Sequence, residues 1–124
     1  MVAMEAIRGV VEDYIAALNA KEPEGIARLY AEDATLEDPV GGGEVRRGRD
    51  AIAEFYRPFR DLAMSVELLA VRVAGSEAAF HFRVTTGVGE QHAVVEPIDV
   101  MTFNEAGQIT SMRAFWNDAD LTIS

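Results

Sequence analysis

Three side chains in this 124-residue sequence stand where they could do chemistry together: Tyr14, Asp38 and Asp99. Asp99 lies in the run Pro97-Ile98-Asp99-Val100-Met101, so on an extended segment it shares a face with Pro97 and Met101. One reading is a strand-end acid turned to solvent or to an arginine. The other is a carboxyl held among apolar groups, where burial disfavours the anion and lifts the pKa above its ordinary ~3.9. A carboxylic acid kept neutral can donate a hydrogen bond, which a carboxylate cannot. Tyr14 falls on an apolar helical stripe, either as a core tyrosine with a satisfied hydroxyl or as a second donor beside Asp99. Two donors converging in a dry pocket would stabilise negative charge developing on a carbonyl oxygen. Asp38 precedes Pro39 and a glycine run. It is either a turn residue or a carboxylate overhanging the mouth of that pocket as a general base. Glu37, next to it on extended chain, turns the opposite way toward solvent.

Other chemistries find little support. His81 and His92 are the two histidines, each on a strand face opposite the apolar residues. With no His-Glu-x-x-His run and no histidine–carboxylate cluster, no metal is expected. The Gly41–Gly43 run lacks the Lys-Ser/Thr ending of a phosphate loop and is followed by Glu44. No serine sits in a Gly-x-Ser-x-Gly frame. The absence of cysteine removes thiolate and disulfide chemistry and suits a reducing compartment.

The elements that must position these residues divide the chain in two. Ile7, Val11, Tyr14 and Leu18 form one stripe on a helix ending near Ala20. Pro23 opens a short second helix carrying Ile26, Leu29 and Tyr30, followed by an extended piece through Asp38 that Pro39 and the glycines break. A third helix starts near Arg49–Asp50 with Ile52, Phe55, Tyr56 and Phe59 on one side, and Pro58 should loosen its last turn. From Ser65 the apolar period drops to two, predicting strands over 65–74, 77–87, 91–103 and 108–117. Helices followed by an antiparallel meander read as α+β, one domain over 1–124. Face parity groups Val95, Pro97, Asp99, Met101 and Phe103, then Phe80, Phe82 and Val84, then Met112, Ala114 and Trp116, which together would line an apolar concavity. The opposite face of 91–103, with Val94, Ile98 and Val100, is also apolar, most simply because a second subunit covers it.

Composition agrees with a core of that kind, since 49% of the residues are hydrophobic and 26% charged. Eleven basic against 21 acidic residues give a net charge of −10, which argues against nucleic acid or an anionic membrane surface as partner. No apolar run approaches the ~20 residues of a membrane span, and the charged N-terminus lacks the apolar core of a signal peptide. The expectation is a cytoplasmic protein.

Taken together, YIAALNA at 14–20, LYAEDATLEDPVG at 29–41, EFYRP at 54–58, PIDVMTFNEAGQI at 97–109 and MRAFW at 112–116 resemble the bacterial delta-5-3-ketosteroid isomerases of the nuclear-transport-factor-like superfamily. The similarity runs from about residue 7 to residue 118. It implies a conical α+β fold, three N-terminal helices on a strongly curved, mainly antiparallel sheet enclosing an apolar pocket. It also implies a homodimer, a steroid substrate and no cofactor. By that resemblance Asp38 matches the catalytic base, and Tyr14 and Asp99 match the oxyanion-hole donors. Tyr56 and Tyr30 match a tyrosine chain behind Tyr14, while Trp116, Phe82, Phe55 and Met112 match the steroid-binding wall; parity adds Val84 and Ala114 to it. Two alternatives stay open. One is another small-molecule enzyme on the same scaffold, of polyketide cyclase or epoxide hydrolase type, although no arginine shares the face of Asp99 as the latter would need. The other is a non-catalytic binding module.

Overall fold

A computed structural model describes residues 2–124 of the chain. Helix α1 (Met4–Ala20) buries Ile7, Val11, Tyr14, Ile15 and Leu18 along one side. It stops where Lys21 takes a left-handed conformation (φ 58°), and the Lys21 ammonium then donates to the Leu62 carbonyl at 2.7 Å. Pro23, whose missing N–H costs nothing in a first turn, opens α2 (Pro23–Ala27). The sequence pattern carries that helix on through Leu29 and Tyr30. Instead the Leu29 carbonyl accepts from the Ile109 N–H at 3.0 Å, and Tyr30 begins strand β1 (Tyr30–Glu37) as the register partner of Ile109. Sheet pairing takes up these backbone groups in place of another helical turn. After β2 (Arg46–Arg47), helix α3 (Arg49–Tyr56) runs into a 3-10 turn, Arg57–Asp61, at the expected proline.

The rest is sheet: β3 (Ala63–Ala74), β4 (Glu77–Val88), β5 (Gln91–Val95), β6 (Ile98–Phe103), β7 (Ile109–Phe115) and β8 (Leu121–Ile123). Their order is β2-β1-β7-β6-β4-β5-β8, with β3 on the other edge of β4. All pairings are antiparallel except β1 with β7, which is parallel. The strand expected over 91–103 is two strands, β5 and β6, lying end to end along β4 in unbroken register. Pro97 supplies no N–H to the ladder, so at Glu96–Pro97 the strand is interrupted and only the bond from the Phe82 N–H to the Pro97 carbonyl, 3.3 Å, is kept before β6 begins at Ile98. Strand β8 has no counterpart in the sequence reading. Leu121–Ile123 pairs with β5 after the chain doubles back through a 3-10 turn at Asp118–Asp120.

The face parity read from the sequence carries through to the core. Phe80, Phe82, Met101, Phe103, Met112 and Ala114 are buried beneath the helices with Ile7, Val11, Ile26 and Ile52. Strand β3 is held from the helical side by Asn19. Its amide donates to the Val66 carbonyl and accepts from the Val66 N–H, both at 2.9 Å. No helix of the described residues is long and apolar enough to cross a membrane.

Candidate active site

Between the helices and the concave face of the sheet lies a cavity of about 300 Å³. Tyr14 and Leu18, one helical turn apart on α1, form one wall; Phe55, Tyr56, Phe59 and Leu62 from α3 and the turn after it form another. Met64 and Val66 of β3, Phe82, Val84 and Thr86 of β4, and Val95, Pro97 and Asp99 along β5 and β6 line the sheet side, and Asp38 and Trp116 complete it.

Asp99 is only 1% exposed, and its Oδ1 has no hydrogen-bond partner among the described residues. Its register neighbours are Phe80 on β4 and Ala114 on β7, neither of which offers a polar side chain. Burial therefore raises its pKa well above the ordinary carboxylate range, and the charge of Asp38 raises it further. A proton on Asp99 is the state such surroundings favour, and it makes the group a donor into the cavity.

Tyr14 faces the same cavity, with its ring edge-on to Phe80 at 6.0 Å. Its hydroxyl lies 2.8 Å from that of Tyr56, which lies 2.8 Å from that of Tyr30. All three tyrosines are almost fully buried. Desolvation is the largest cause holding each of them well above the usual phenol value, so all three are neutral. If Tyr14 donates into the cavity, Tyr56 donates to Tyr14 and Tyr30 to Tyr56, and each bond polarises the next.

Asp38 stands where β1 leaves the sheet. The Val40 N–H donates to the Ala114 carbonyl at 2.8 Å, and a cis peptide joins Asp38 to Pro39. The Pro39 carbonyl accepts from the N–H groups of Gly42 and Gly43, and the loop folds so tightly that a Cβ at Gly43 would lie 2.6 Å from the Asp38 carbonyl oxygen. The Trp116 indole N–H donates to Asp38 Oδ1 at 2.7 Å. Burial raises the Asp38 pKa and this hydrogen bond opposes the rise. Glu37 points away, as alternation requires. It is nonetheless not freely solvated: its carboxylate accepts from Gly41 N at 3.2 Å and pairs with Arg113 at 3.4 Å.

Of the residues expected in the wall, Trp116, Phe82, Phe55 and Val84 line the cavity. Met112 and Ala114 share their face but lie in the core, each 1% exposed, and do not reach the cavity lining. The sequence reading did not single out Leu18, Leu62, Met64, Val66 or Thr86 as lining residues. Leu18 stands on the same stripe as Tyr14, a signal that could have found it, whereas strand β3 showed only its period. His81 and His92 both lie away from the cavity; His81 pairs with Glu96 at 2.9 Å on the outer side of the sheet. Among the described residues no cluster of side chains has the makings of a metal site.

A family model for the SnoaL-like domain matches residues 11–112. The chain is 55% identical to a steroid Delta-isomerase of Nocardioides simplex over 118 residues, 95% of each protein. Among solved structures it superposes along its whole length on SalBIII, an epoxide hydrolase/cyclase-like enzyme with a role in pyran ring formation in the polyether salinomycin, with a TM-score of 0.91 and 25% identity. It also superposes over 96% of both chains on a computationally designed 17-OHP binder, with a TM-score of 0.84 and 21% identity; that likeness is one of fold.

Proposed function

The chain belongs to the steroid delta-isomerase family within the SnoaL-like fold, and on that premise we propose that it moves the double bond of 3-oxo-delta-5 steroids into conjugation with the ketone. The observation that carries this reading is a buried carboxyl with an unpartnered oxygen beside a phenol at one end of an apolar slot, with a second, hydrogen-bonded carboxylate on the same slot.

The atoms balance without a cofactor. Asp38, as carboxylate, takes a proton from C4, between the ketone and the double bond. The electron pair moves onto the ketone oxygen, and the resulting dienolate accepts hydrogen bonds from Tyr14 and from neutral Asp99. Protonated Asp38 then delivers its proton to C6, which leaves the conjugated enone and restores the base. Environment separates the two acids. Asp99, buried without a partner, stays protonated, whereas Trp116 favours the charged form of Asp38. Protonated Asp99 as an oxyanion-hole donor is the general pattern already described for ketosteroid isomerases. The apolar wall suits a rigid, neutral, greasy substrate.

An epoxide hydrolase or cyclase reading is less well served, because no arginine is among the lining residues to hold a water against an acid. The chain is further proposed to act as a homodimer packed through the outer face of the sheet. There Ile98 and Phe115, register partners on β6 and β7, are 47% and 42% exposed. Sedimentation at micromolar concentration tests the dimer. For the reaction, purified protein mixed with a 5-ene-3-keto steroid should bring up the ultraviolet band of the conjugated enone. If no band grows above the buffer rate, the isomerase reading fails.

A further inference from the structure

Thr86 is out of keeping with the wall that contains it. It projects from β4 on the same side as Phe82 and Val84, and its register neighbours are Met64 on β3 and Ala93 on β5. Its hydroxyl has no hydrogen-bond partner among the described residues. The other polar groups of the lining are engaged or belong to the reacting end: Tyr14 with Tyr56, Asp38 with Trp116, and Asp99.

Position gives this hydroxyl a meaning. Asp99 is level with Phe80 on β4, and Thr86 lies six residues further along the same strand, at most about 20 Å away. The slot therefore has its acids toward one end and a lone hydroxyl toward the other, with Val84, Val66 and Leu18 between them. Water that reaches a half-buried hydroxyl satisfies it until a ligand takes its place. A ligand that presents only hydrocarbon there strips the water and returns nothing, whereas one that presents an oxygen replaces the bond. Valine would fill the same shape at no such cost, so the hydroxyl discriminates between ligands where an apolar wall could not.

We propose that Thr86 is a specificity-determining residue that hydrogen-bonds an oxygen substituent at the end of the substrate remote from the reacting ketone. The proposal rests on the isomerase reading and deepens it: the preferred substrates are ketosteroids oxygenated on or beyond the D ring. The test compares two 5-ene-3-keto steroids that differ only in a hydroxyl or a hydrogen at C17. Thr86→Val should raise KM for the oxygenated steroid by roughly 2- to 10-fold, the size of one neutral hydrogen bond. The kcat for both steroids should stay as in the parent. For the deoxy steroid KM should fall instead, because valine removes the hydroxyl which that ligand strands, and Thr86→Ser should bring both KM values back toward the parent's. Equal changes for both steroids, or none, overturn the assignment of Thr86 while leaving the isomerase reading intact. If the parent protein turns over neither steroid, both readings fall.

Discussion

The Trp116 indole N–H reaches the Asp38 carboxylate across 2.7 Å, although 78 positions of sequence separate the two residues. It is the one interaction opposing the burial that pushes the Asp38 pKa up. Removing it with Trp116→Phe keeps an aromatic wall and leaves the carboxylate less well served. The acid limb of the kcat/KM profile should then move to higher pH, by up to about 1–2 units for a hydrogen bond to a charged group. A limb that stays in place would show that the indole does not set the base's ionisation.

Asp38→Asn should lower kcat by at least the roughly 10²–10⁴-fold attributed to a general base, with ligand binding retained. Asp99→Ala should cost on the order of 10²–10³, as for one lost oxyanion donor. Tyr14→Phe should weaken the binding of phenols, which mimic the enolate, as read by calorimetry. Near-normal turnover in either aspartate variant would remove that residue from the mechanism.

Burial of Asp99 also ties stability to pH. Its folded-state pKa lies well above the ordinary value, so between the two the native state holds one proton more than the unfolded chain. Stability contributed by that proton is complete below about pH 3.9 and falls by about 1.4 kcal/mol per pH unit until the folded-state pKa is passed. Asp99→Asn cannot titrate. Urea unfolding between pH 5 and 8 should show the variant gaining on the parent as pH rises, even though Asp38 adds a decline of the same sign to both. Parallel curves would place Asp99 at an ordinary pKa.

Tyr56 is the middle member of three hydroxyls, and Tyr30 is an end. Tyr56→Phe deprives both neighbours of their partner in a buried setting and should cost more stability than Tyr30→Phe, by about 1–3 kcal/mol for each group left unsatisfied. It should also lower kcat more, since it breaks the chain next to Tyr14. Equal effects in urea unfolding and in rate would mean that the chain does not act as a relay.

Strand alternation put Asp99 on the face of Pro97 and Met101 and so offered burial as one of two readings; its 1% exposure chooses between them. The same rule sent Met112 and Ala114 to the right face but could not say how deep the cavity cuts, and they ended beneath its floor. Tyr30 misled because Leu29 and Tyr30 continue an apolar helical spacing, while the pull of β7 on the backbone has no signature in local pattern. Strand β8 is three residues long and exists only because β5 is there to pair with it. The Trp116–Asp38 bond and the tyrosine chain depend on distant segments meeting. The resemblance to a family implied the tyrosine chain; periodicity alone carried no sign of it.

Asn19 presents to Val66 the same donor and acceptor that a neighbouring strand would. The outer rim of β3, which has no strand beside it among the described residues, is thereby occupied at its Val66 position by a side chain rooted in α1. A second molecule trying to extend the sheet from that rim would find this place taken, so the helix that carries Tyr14 into the cavity also guards the fold against edge-to-edge aggregation.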